Sequence, residues 1–253
     1  MPISRSTAEG LARAVADSYA EAERLMLVRI ARNLKKGADS PDWATKKLAQ
    51  MRAYKRQTEA LIADLEKEAA TGVETALTEA YKRGGLAALA DIGSDVEPLA
   101  GLNAVETLTA EVMTNLTATS ARILRVTQDA YRDAVAQGAK QVLLGTSTRL
   151  QGAQMVLDDL ARKGITGFID SAGRGFSLES YSEMAVRTGC MRASVQGHTD
   201  TLRDNGLDLV IVSATGSSCP LCVDWEGQVL SISGETPWYA TVEDAESAGW
   251  GHP

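Results

Sequence analysis

Two cysteines near the end of the chain have a spacing that suits chemistry. Cys219 and Cys222 flank a Pro-Leu pair within the segment "SSCPLCVDWEGQVLSISG". Two thiolates at this spacing can bind one Zn²⁺ from a tight turn, and tetrahedral zinc needs two further ligands. His252 is the third candidate. The sequence therefore predicts a zinc site formed by Cys219, Cys222 and His252, with a fourth ligand outside these residues.

The cysteine pair has two other interpretations, a redox pair and two ordinary reduced thiols. A thioredoxin-like Cys-x-x-Cys opens a helix after a strand, whereas the residues after Cys222 indicate a turn into a strand. The other histidine, His198, falls in a predicted helix and is expected on its polar face. With two histidines and no G-x-S-x-G, the sequence offers no Ser/His or Cys/His site of a hydrolase.

Charge is distributed unevenly along the chain. The formal net charge is −7, which is not typical of a nucleic-acid-binding protein. After Arg203 there are eight acidic residues and no lysine or arginine, whereas residues 29–56 carry nine basic residues and two aspartates. We interpret this basic stretch either as a solvated helix face or as a surface that contacts DNA or an acidic partner. Its members are Arg29, Arg32, Lys35, Lys36, Lys46, Lys47, Arg52, Lys55 and Arg56.

The sequence shows no targeting or membrane segment. Its first residues carry charges at short intervals and lack the continuous apolar core of a signal peptide. No window contains the ~18 uncharged apolar residues of a membrane span. We therefore expect a cytosol-like compartment, where a Cys-x-x-Cys pair is more often a metal or redox element than a structural disulfide.

Helical patterns fill the first part of the chain. Apolar residues recur at helical spacing over residues 7–36 and again from Pro41 to about Tyr81, with Ser40 as the predicted N-cap. Two further helices are predicted over residues 102–117 and 121–144. Such long helices either reach between other subunits or fold into an antiparallel bundle.

The pattern changes near Gly145. A helix that starts at about Thr148 is followed by two short predicted strands, "ITGFID" and "GRGFSL", and by a longer helix. The apolar run "LDLVIVSA" is predicted as a buried strand, "QVLSIS" as a further strand, and Thr241 as the N-cap of a short helix. We predict an α+β fold: a long helical region, 1–144, then a small α+β domain, 145–253, with a short, mostly antiparallel sheet.

Three segments in the last part of the chain carry a resemblance to a known family. They are "KGITGFIDSAGRGFSLESYSEMAVRT", "GLDLVIVSATGSSCPLCVDWEGQVLSISG" and "AGWGHP". In this order they resemble the phage minor capsid protein 2 family, which is related to the Mu F-like head morphogenesis proteins. The resemblance is strong over residues 140–253 and looser in the helical front. It implies a structural protein of the virion, present in few copies.

The resemblance also implies a location and partners. Such proteins sit inside the head at the portal vertex, after assembly in the host cytoplasm. They bind the portal protein and assist head assembly and DNA packaging, retention or delivery. The major capsid protein and packaged double-stranded DNA are further candidate partners, and no membrane is involved in the assembled head. Family members usually continue past His-Pro with an Asn-Cys-Arg-His-like ending, which would complete the zinc site.

An enzyme is the alternative interpretation. Some relatives are fused to toxin domains, so the α+β domain is alternatively a degenerate ADP-ribosyltransferase-like or other toxin-related domain that acts on host components. The sequence contains no persuasive catalytic set. We therefore expect a structural protein rather than an enzyme.

Overall fold

The computed structural model describes residues 3–38, 40–94, 98, 101–163, 167–169, 174–214 and 219–250. Side chains are described for the same residues except 161–163 and 167–169. The elements of this part of the chain are α1 (Arg5–Lys35), α2 (Trp43–Ile92), α3 (Leu102–Leu143), α4 (Arg149–Lys163), β1 (Gly167–Ile169), β2 (Gly175–Ser177), α5 (Leu178–Asp204), β3 (Leu209–Ile211), α6 (Pro220–Val223), β4 (Val229–Ser231) and α7 (Val242–Ser247). The α+β class is confirmed, with long helices first and short antiparallel strands after them.

The chain packs as two compact units, and each draws on separated segments. Unit 1 contains residues 1–11, 74–110 and 186–253, and unit 2 contains residues 12–73 and 111–185. The sequence analysis predicted a helical region, 1–144, and a separate α+β domain, 145–253. Whether these two parts fold independently is not tested by the packing of the units, so this division stays a prediction.

The connection between α1 and α2 lies in unit 2. Gly37, with a φ of 74°, follows the end of α1 and adopts the left-handed conformation that glycine favours. The Trp43 N–H donates to the Ser40 carbonyl at 3.0 Å, and α2 begins at Trp43. The prediction that Pro41 is the first helical residue is therefore wrong by two positions, because Pro41 lies in the turn.

α2 continues to Ile92, so the predicted end near Tyr81 is wrong. Gly84, beyond the predicted end, allows a close approach to α5 within unit 1. A methyl group added at Gly84 would lie 1.9 Å from the Ser194 carbonyl oxygen, and one added at Gly197 would lie 2.1 Å from the Tyr81 carbonyl oxygen. The glycines at this crossing therefore serve helix packing.

α3 is one helix, so the predicted break between residues 117 and 121 is wrong. The Thr- and Ser-rich sequence there has weak helix propensity. Ser120 and Thr127 are nevertheless fully buried, and Leu116 and Ile123 are at most 1% exposed. Packing of this helix face overrides the local preference.

The core of unit 2 joins residues of α1, α2, α3 and α4. The rings of Tyr54 and Tyr131 stack with their centroids 4.1 Å apart. Gly138 and Gly152 bring α3 and α4 close, since a methyl group added at Gly138 would lie 2.8 Å from the Gly152 carbonyl oxygen. The buried members of this core are Ile30, Leu34, Ala38, Trp43, Ala44, Tyr54, Tyr131, Ala134, Val135, Ala139, Ala153, Val156 and Leu160.

The strands form two antiparallel pairs in the described chain. β1 pairs with β2, with Phe168 opposite Phe176, and β3 pairs with β4, with Val210 opposite Leu230. In unit 1 a small core covers one face of the β3–β4 pair; its members are Val212, Leu230 and Ala245, with Val210, Trp225, Val242 and Trp250 packed against them. The prediction of a buried strand is wrong, because Leu209 and Ile211 on the opposite face are 41% and 66% exposed.

Candidate functional site

Cys219 and Cys222 lie between β3 and β4, as the sequence predicted. Cys219 is the N-cap of the single-turn helix α6, and Pro220 occupies its first position, where a missing N–H costs no hydrogen bond. The N–H groups of Cys222 and Val223 both donate to the Cys219 carbonyl at 3.0 Å. A helical turn of this kind brings the two thiols to the same side.

The thiols of this turn differ from the third thiol of the chain. Desolvation acts to raise the pKa of Cys219, but the N–H groups of Cys222 and Leu221 and the Cys222 thiol lower that pKa below its usual value. The thiolate is the form that binds metals. Burial raises the pKa of Cys190 to about 12. The Cys219 thiol is therefore suited to ligation, whereas Cys190 is a core residue.

The end of the described chain is held beside the cysteine turn. A methyl group added at Gly249 would lie 3.4 Å from Cδ1 of Leu221, one of the two residues between the cysteines. The Trp250 N–H donates to the Ala245 carbonyl at 2.9 Å, and Trp250 packs against the core beneath the sheet. His252 follows two residues later and lies outside the described residues.

The described residues contain part of the predicted zinc site. Among them, no group of three or more His, Cys, Asp or Glu side chains is placed to hold a metal ion. Cys219 and Cys222 are therefore the two predicted ligands that the structure brings together. The fit of the turn to zinc rests on two adjacent thiols and on the backbone N–H groups directed at the Cys219 sulfur.

Asp208 organises the segment after β4, and the sequence analysis missed it. Its carboxylate accepts hydrogen bonds from the hydroxyls of Ser231 at 2.6 Å, Ser233 at 2.6 Å and Thr236 at 2.8 Å, and from the Ser233 N–H at 2.7 Å. This network connects Asp208, the residue before β3, to the residues that lead into α7, at the end of the β3–β4 pair away from the cysteine turn. The signal in the sequence was the position of Asp208, an acidic residue within the apolar run "LDLVIV".

Most of the predicted basic stretch is exposed in unit 2. Seven of the nine side chains are exposed at the end of α1, at the residue that follows it and on the first turns of α2; they are Arg32, Lys35, Lys36, Lys46, Arg52, Lys55 and Arg56. We call these seven residues the basic end. Lys46 and Lys55 each have one carboxylate at 3.8 Å, from Asp42 and Glu59. Exposed ion pairs at this distance are weak, and two carboxylates do not balance seven cations. The local charge of the basic end is therefore positive.

The other two basic residues are held by the fold. Lys47 is only 2% exposed, and its ammonium donates to the Asn33 carbonyl near the end of α1. A cation at this position complements the helix dipole and satisfies a terminal carbonyl. Arg29 is half-buried and donates to the Gln57 carbonyl at 2.9 Å. Lys47 therefore serves the α1–α2 connection rather than an outer surface.

A shallow cavity of about 350 Å³ in unit 2 does not resemble a catalytic site. Its lining consists of Thr146, Ser147, Gln151, Gln154, Met155 and Asp158. The lining has two hydroxyl groups and one carboxylate but neither histidine nor cysteine, so it does not offer the Ser/His or Cys/His pair of a hydrolase. In the part of the chain that the structure describes, no helix is long and apolar enough to cross a membrane.

Comparison with known proteins connects this architecture to a family. The profile of the family described as phage minor capsid protein 2 matches residues 4–252. A protein of Lactococcus phage LL-H named "Structural protein" is 22% identical over 241 residues, which cover 86% of this chain and 63% of the relative. The chain thus spans less than two thirds of that relative. No solved structure matches. Because the family match extends over almost the whole sequence, the chain belongs to the phage minor capsid protein 2 family.

Proposed function

We propose that the protein is a minor structural component of a phage head, bound to the portal protein at the portal vertex inside the head. There it assists head assembly and the packaging, retention or delivery of DNA. Membership in a minor capsid protein family supports a structural role in a phage, and the name of the Lactococcus phage relative supports it too. The observation that carries the proposal is the extent of the family match, which includes both units.

The long helices support a contact with a ring of portal subunits. α1, α2 and α3 have 31, 50 and 42 residues, whereas an average helix has about 11–12. Leu27 and Leu48 are 45% and 36% exposed on α1 and α2 in unit 2. Apolar side chains on a helix face are the anchors with which helices bind hydrophobic grooves. We assign the portal contact to these helices.

Native mass spectrometry of the chain mixed with the portal protein of the same phage tests this assignment. We expect a complex of fixed stoichiometry that a Leu27→Lys/Leu48→Lys variant weakens by about tenfold or more, because two buried apolar contacts are replaced by charges. Leu144→Lys/Leu150→Lys is the matched control, since these two leucines are 65% and 67% exposed and lie outside α1, α2 and α3. The absence of a complex with the portal protein, or its loss only in the control, would overturn the assignment.

We also propose that the basic end faces packaged DNA. Its seven exposed cations lie on two helices joined by a short turn, and the neighbouring carboxylates are few. Lysine and arginine at such a surface bind phosphates with release of counterions. The net charge of −7 then confines the DNA contact to this end of unit 2, because the rest of the surface repels phosphate.

Zinc is the third part of the proposal. Cys219 and Cys222 would hold the ion from the α6 turn, and His252 is the third ligand we assign. The contact of Gly249 with Leu221 supports this assignment, since three residues of chain span at most about 11 Å. Zinc binding would fix the acidic segment 204–250 by linking its last residues to the loop between β3 and β4.

Elemental analysis of the purified natural protein tests the zinc assignment. We expect about one zinc per chain, and its loss in a Cys219→Ser/Cys222→Ser variant, because thiolates supply two of the four ligands. Cys190→Ala is the matched control; it removes the buried thiol and leaves the turn intact. A natural protein without zinc, or zinc retained by the double variant, would show that the pair is a set of structural thiols.

A further inference from the structure

The segment that contains β3 exposes an aliphatic stripe. Leu207, Leu209 and Ile211 alternate along the chain and are 42%, 41% and 66% exposed. We call these three residues the aliphatic stripe. Side chains at alternate positions of a strand lie on the same face. The stripe is therefore an apolar face turned to solvent rather than to the core.

The residues between them point to the opposite face. Asp208 binds the hydroxyl groups of the segment after β4, Val210 packs on the small core, and Val212 is 8% exposed. The usual pattern of a half-buried strand, with apolar residues inside and polar residues outside, is absent here. Both faces of β3 are apolar, and the core covers one of them.

The backbone of the stripe is also directed away from β4. The Ile232 N–H donates to the Asp208 carbonyl at 2.7 Å, and the Val212 N–H donates to the Gln228 carbonyl at 2.9 Å. Residues 208, 210 and 212 thus face β4, and by the alternation of an antiparallel ladder the N–H and C=O groups of Leu209 and Ile211 face the other way. Within the described residues, β3 pairs with β4 alone.

This edge is short, at three residues, but it lacks the side chains that keep natural edge strands from pairing. Such edges usually carry lysine, proline, a bulge or an inward-pointing charge on the open side. Residues 205–214 contain no lysine, arginine or proline, and their one acid, Asp208, is engaged by Ser231, Ser233 and Thr236. In the described part of the chain, Leu209 and Ile211 therefore combine two features. Their backbone N–H and C=O groups face away from β4, and their side chains are not covered by the core.

We propose that β3 is a docking edge. It binds an extended segment of a partner protein as an additional strand. The side chains of this segment are aliphatic at alternate positions, and its flanks carry lysine or arginine. The ladder groups of Leu209 and Ile211 supply the backbone hydrogen bonds of such strand addition, and the aliphatic stripe selects the apolar side chains.

The charges around the edge identify the flanks of the partner segment. Asp204 is exposed just before the stripe. Asp224 is exposed near the opposite end of the strand, where the Gly227 N–H binds the Val212 carbonyl. No lysine or arginine follows Arg203. A second copy of this chain would place acid against acid, which disfavours self-pairing, whereas basic flanks are complementary. The inference does not depend on where in the particle the chain lies.

Binding of fluorescent peptides to the full chain tests the proposal. Four peptides have two lysines at each end and five central residues in which threonine alternates with valine, isoleucine, leucine or phenylalanine. We expect anisotropy to show binding of at least one, weakened by salt and by replacement of the lysines with glutamate. N-methylation of the peptide amides that face β3 should abolish it, because those amides form the ladder. Amide exchange at Leu209 and Ile211 should slow on binding.

Matched variants connect the binding to β3. A Leu209→Lys/Ile211→Lys variant should bind about tenfold more weakly, since it removes two apolar cross-strand contacts and repels the basic flanks. Leu86→Lys/Leu102→Lys makes the same charge change at two exposed leucines of unit 1 and should bind like wild type. The proposal is overturned if no peptide binds, if N-methylation or the β3 variant has no effect, or if the chain dimerises through β3 instead.

Discussion

At the scale of single residues, Asp208 shows how one polar side chain organises a small sheet. Its four hydrogen bonds satisfy both carboxylate oxygens and connect β3 to the residues that follow β4. The Ser231 hydroxyl first, and then those of Ser233 and Thr236, hold the pKa of Asp208 well below its usual range. The residue therefore favours the folded state only while it is ionised.

The stability contributed by Asp208 should depend on pH in a defined direction. Because the folded-state pKa is lowered, the contribution is complete above the usual carboxyl pKa of ~3.9 and is lost as the pH falls below it. We expect Asp208→Asn to lower the melting temperature at pH 6–7, with a smaller difference from wild type near pH 3. Asp64→Asn, at an exposed position of α2, controls for the loss of one charge. A difference between Asp208→Asn and wild type that stays constant across this range would contradict the account.

At the scale of elements, the crossing of α2 and α5 in unit 1 depends on missing side chains. The backbones meet where Gly84 faces Ser194 and where Gly197 faces Tyr81. The hydroxyl of Tyr81 donates to Asp200 at 2.7 Å on the same pair of helices. Contact between two backbones leaves no room for even a methyl group, so this geometry is specific to glycine.

Alanine at these glycines should destabilise the protein although alanine is the better helix former. We expect Gly84→Ala, and separately Gly197→Ala, to lower the free energy of unfolding by about 1–3 kcal/mol, because the added methyl overlaps backbone atoms.

Gly10→Ala is the matched control for the glycine variants. Gly10 lies within α1 and has no atom within 4 Å of the added methyl. This change should raise the free energy of unfolding by about 0.5–1 kcal/mol through helix propensity. Chemical denaturation measures all three variants, and a gain in stability at Gly84 would mean that the helices do not touch there.

Elements with a clear helical spacing of apolar residues, or with a clear N-cap residue, could be predicted from the sequence. Thr241 caps α7 with a reciprocal capping box to Asp244, and both the helix and its cap were predicted from local residue types. The errors arose where tertiary contacts override local preference. The predicted end near Tyr81 falls within α2, where Gly84 serves a crossing, and the buried Ser120 lies in mid-helix rather than in a break. No local pattern contains that information.

The cysteine turn was predictable from the sequence, whereas the exposure of single residues was not. The Cys219–Cys222 spacing located the turn between two strands correctly. Aliphatic residues occupy both faces of the strand in "LDLVIV". The sequence therefore gives no sign that Leu209 and Ile211 are exposed while their neighbours pack on the core. The count of charges along the sequence also placed Lys47 with its exposed neighbours, although its ammonium donates to the Asn33 carbonyl of α1. Burial of one residue within a charged run depends on packing, which charge counts do not include.

At the scale of the whole molecule, charge is unevenly distributed: the basic end carries seven exposed cations, and no lysine or arginine follows Arg203. We expect binding of the chain to double-stranded DNA to weaken steeply with salt, since each phosphate contact contributes about 0.9 to the slope of log affinity against log salt concentration. Replacing four residues of the basic end, Arg32, Lys36, Arg52 and Arg56, by glutamine should reduce the slope by about 3–4 if all four contact phosphate.

A charge-matched control distinguishes a local surface from net charge. Arg13, Lys67, Arg125 and Lys140 are exposed in unit 2 outside the basic end, so their replacement removes the same four charges. Their replacement by glutamine should leave the salt slope almost unchanged, because these residues are not expected to touch phosphate. An equal reduction of the slope in both variants would mean that the basic end is an ordinary solvated surface.

The central claim is that this chain is a minor component of the phage head at the portal vertex. Absolute quantification by mass spectrometry of purified particles, together with the portal and major capsid proteins, tests it most directly. The account predicts a fixed ratio of this chain to the portal protein, far below the copy number of the major capsid protein, that persists through high-salt washing. Absence of the chain from purified particles, or a ratio to the portal protein that varies between preparations, would contradict it.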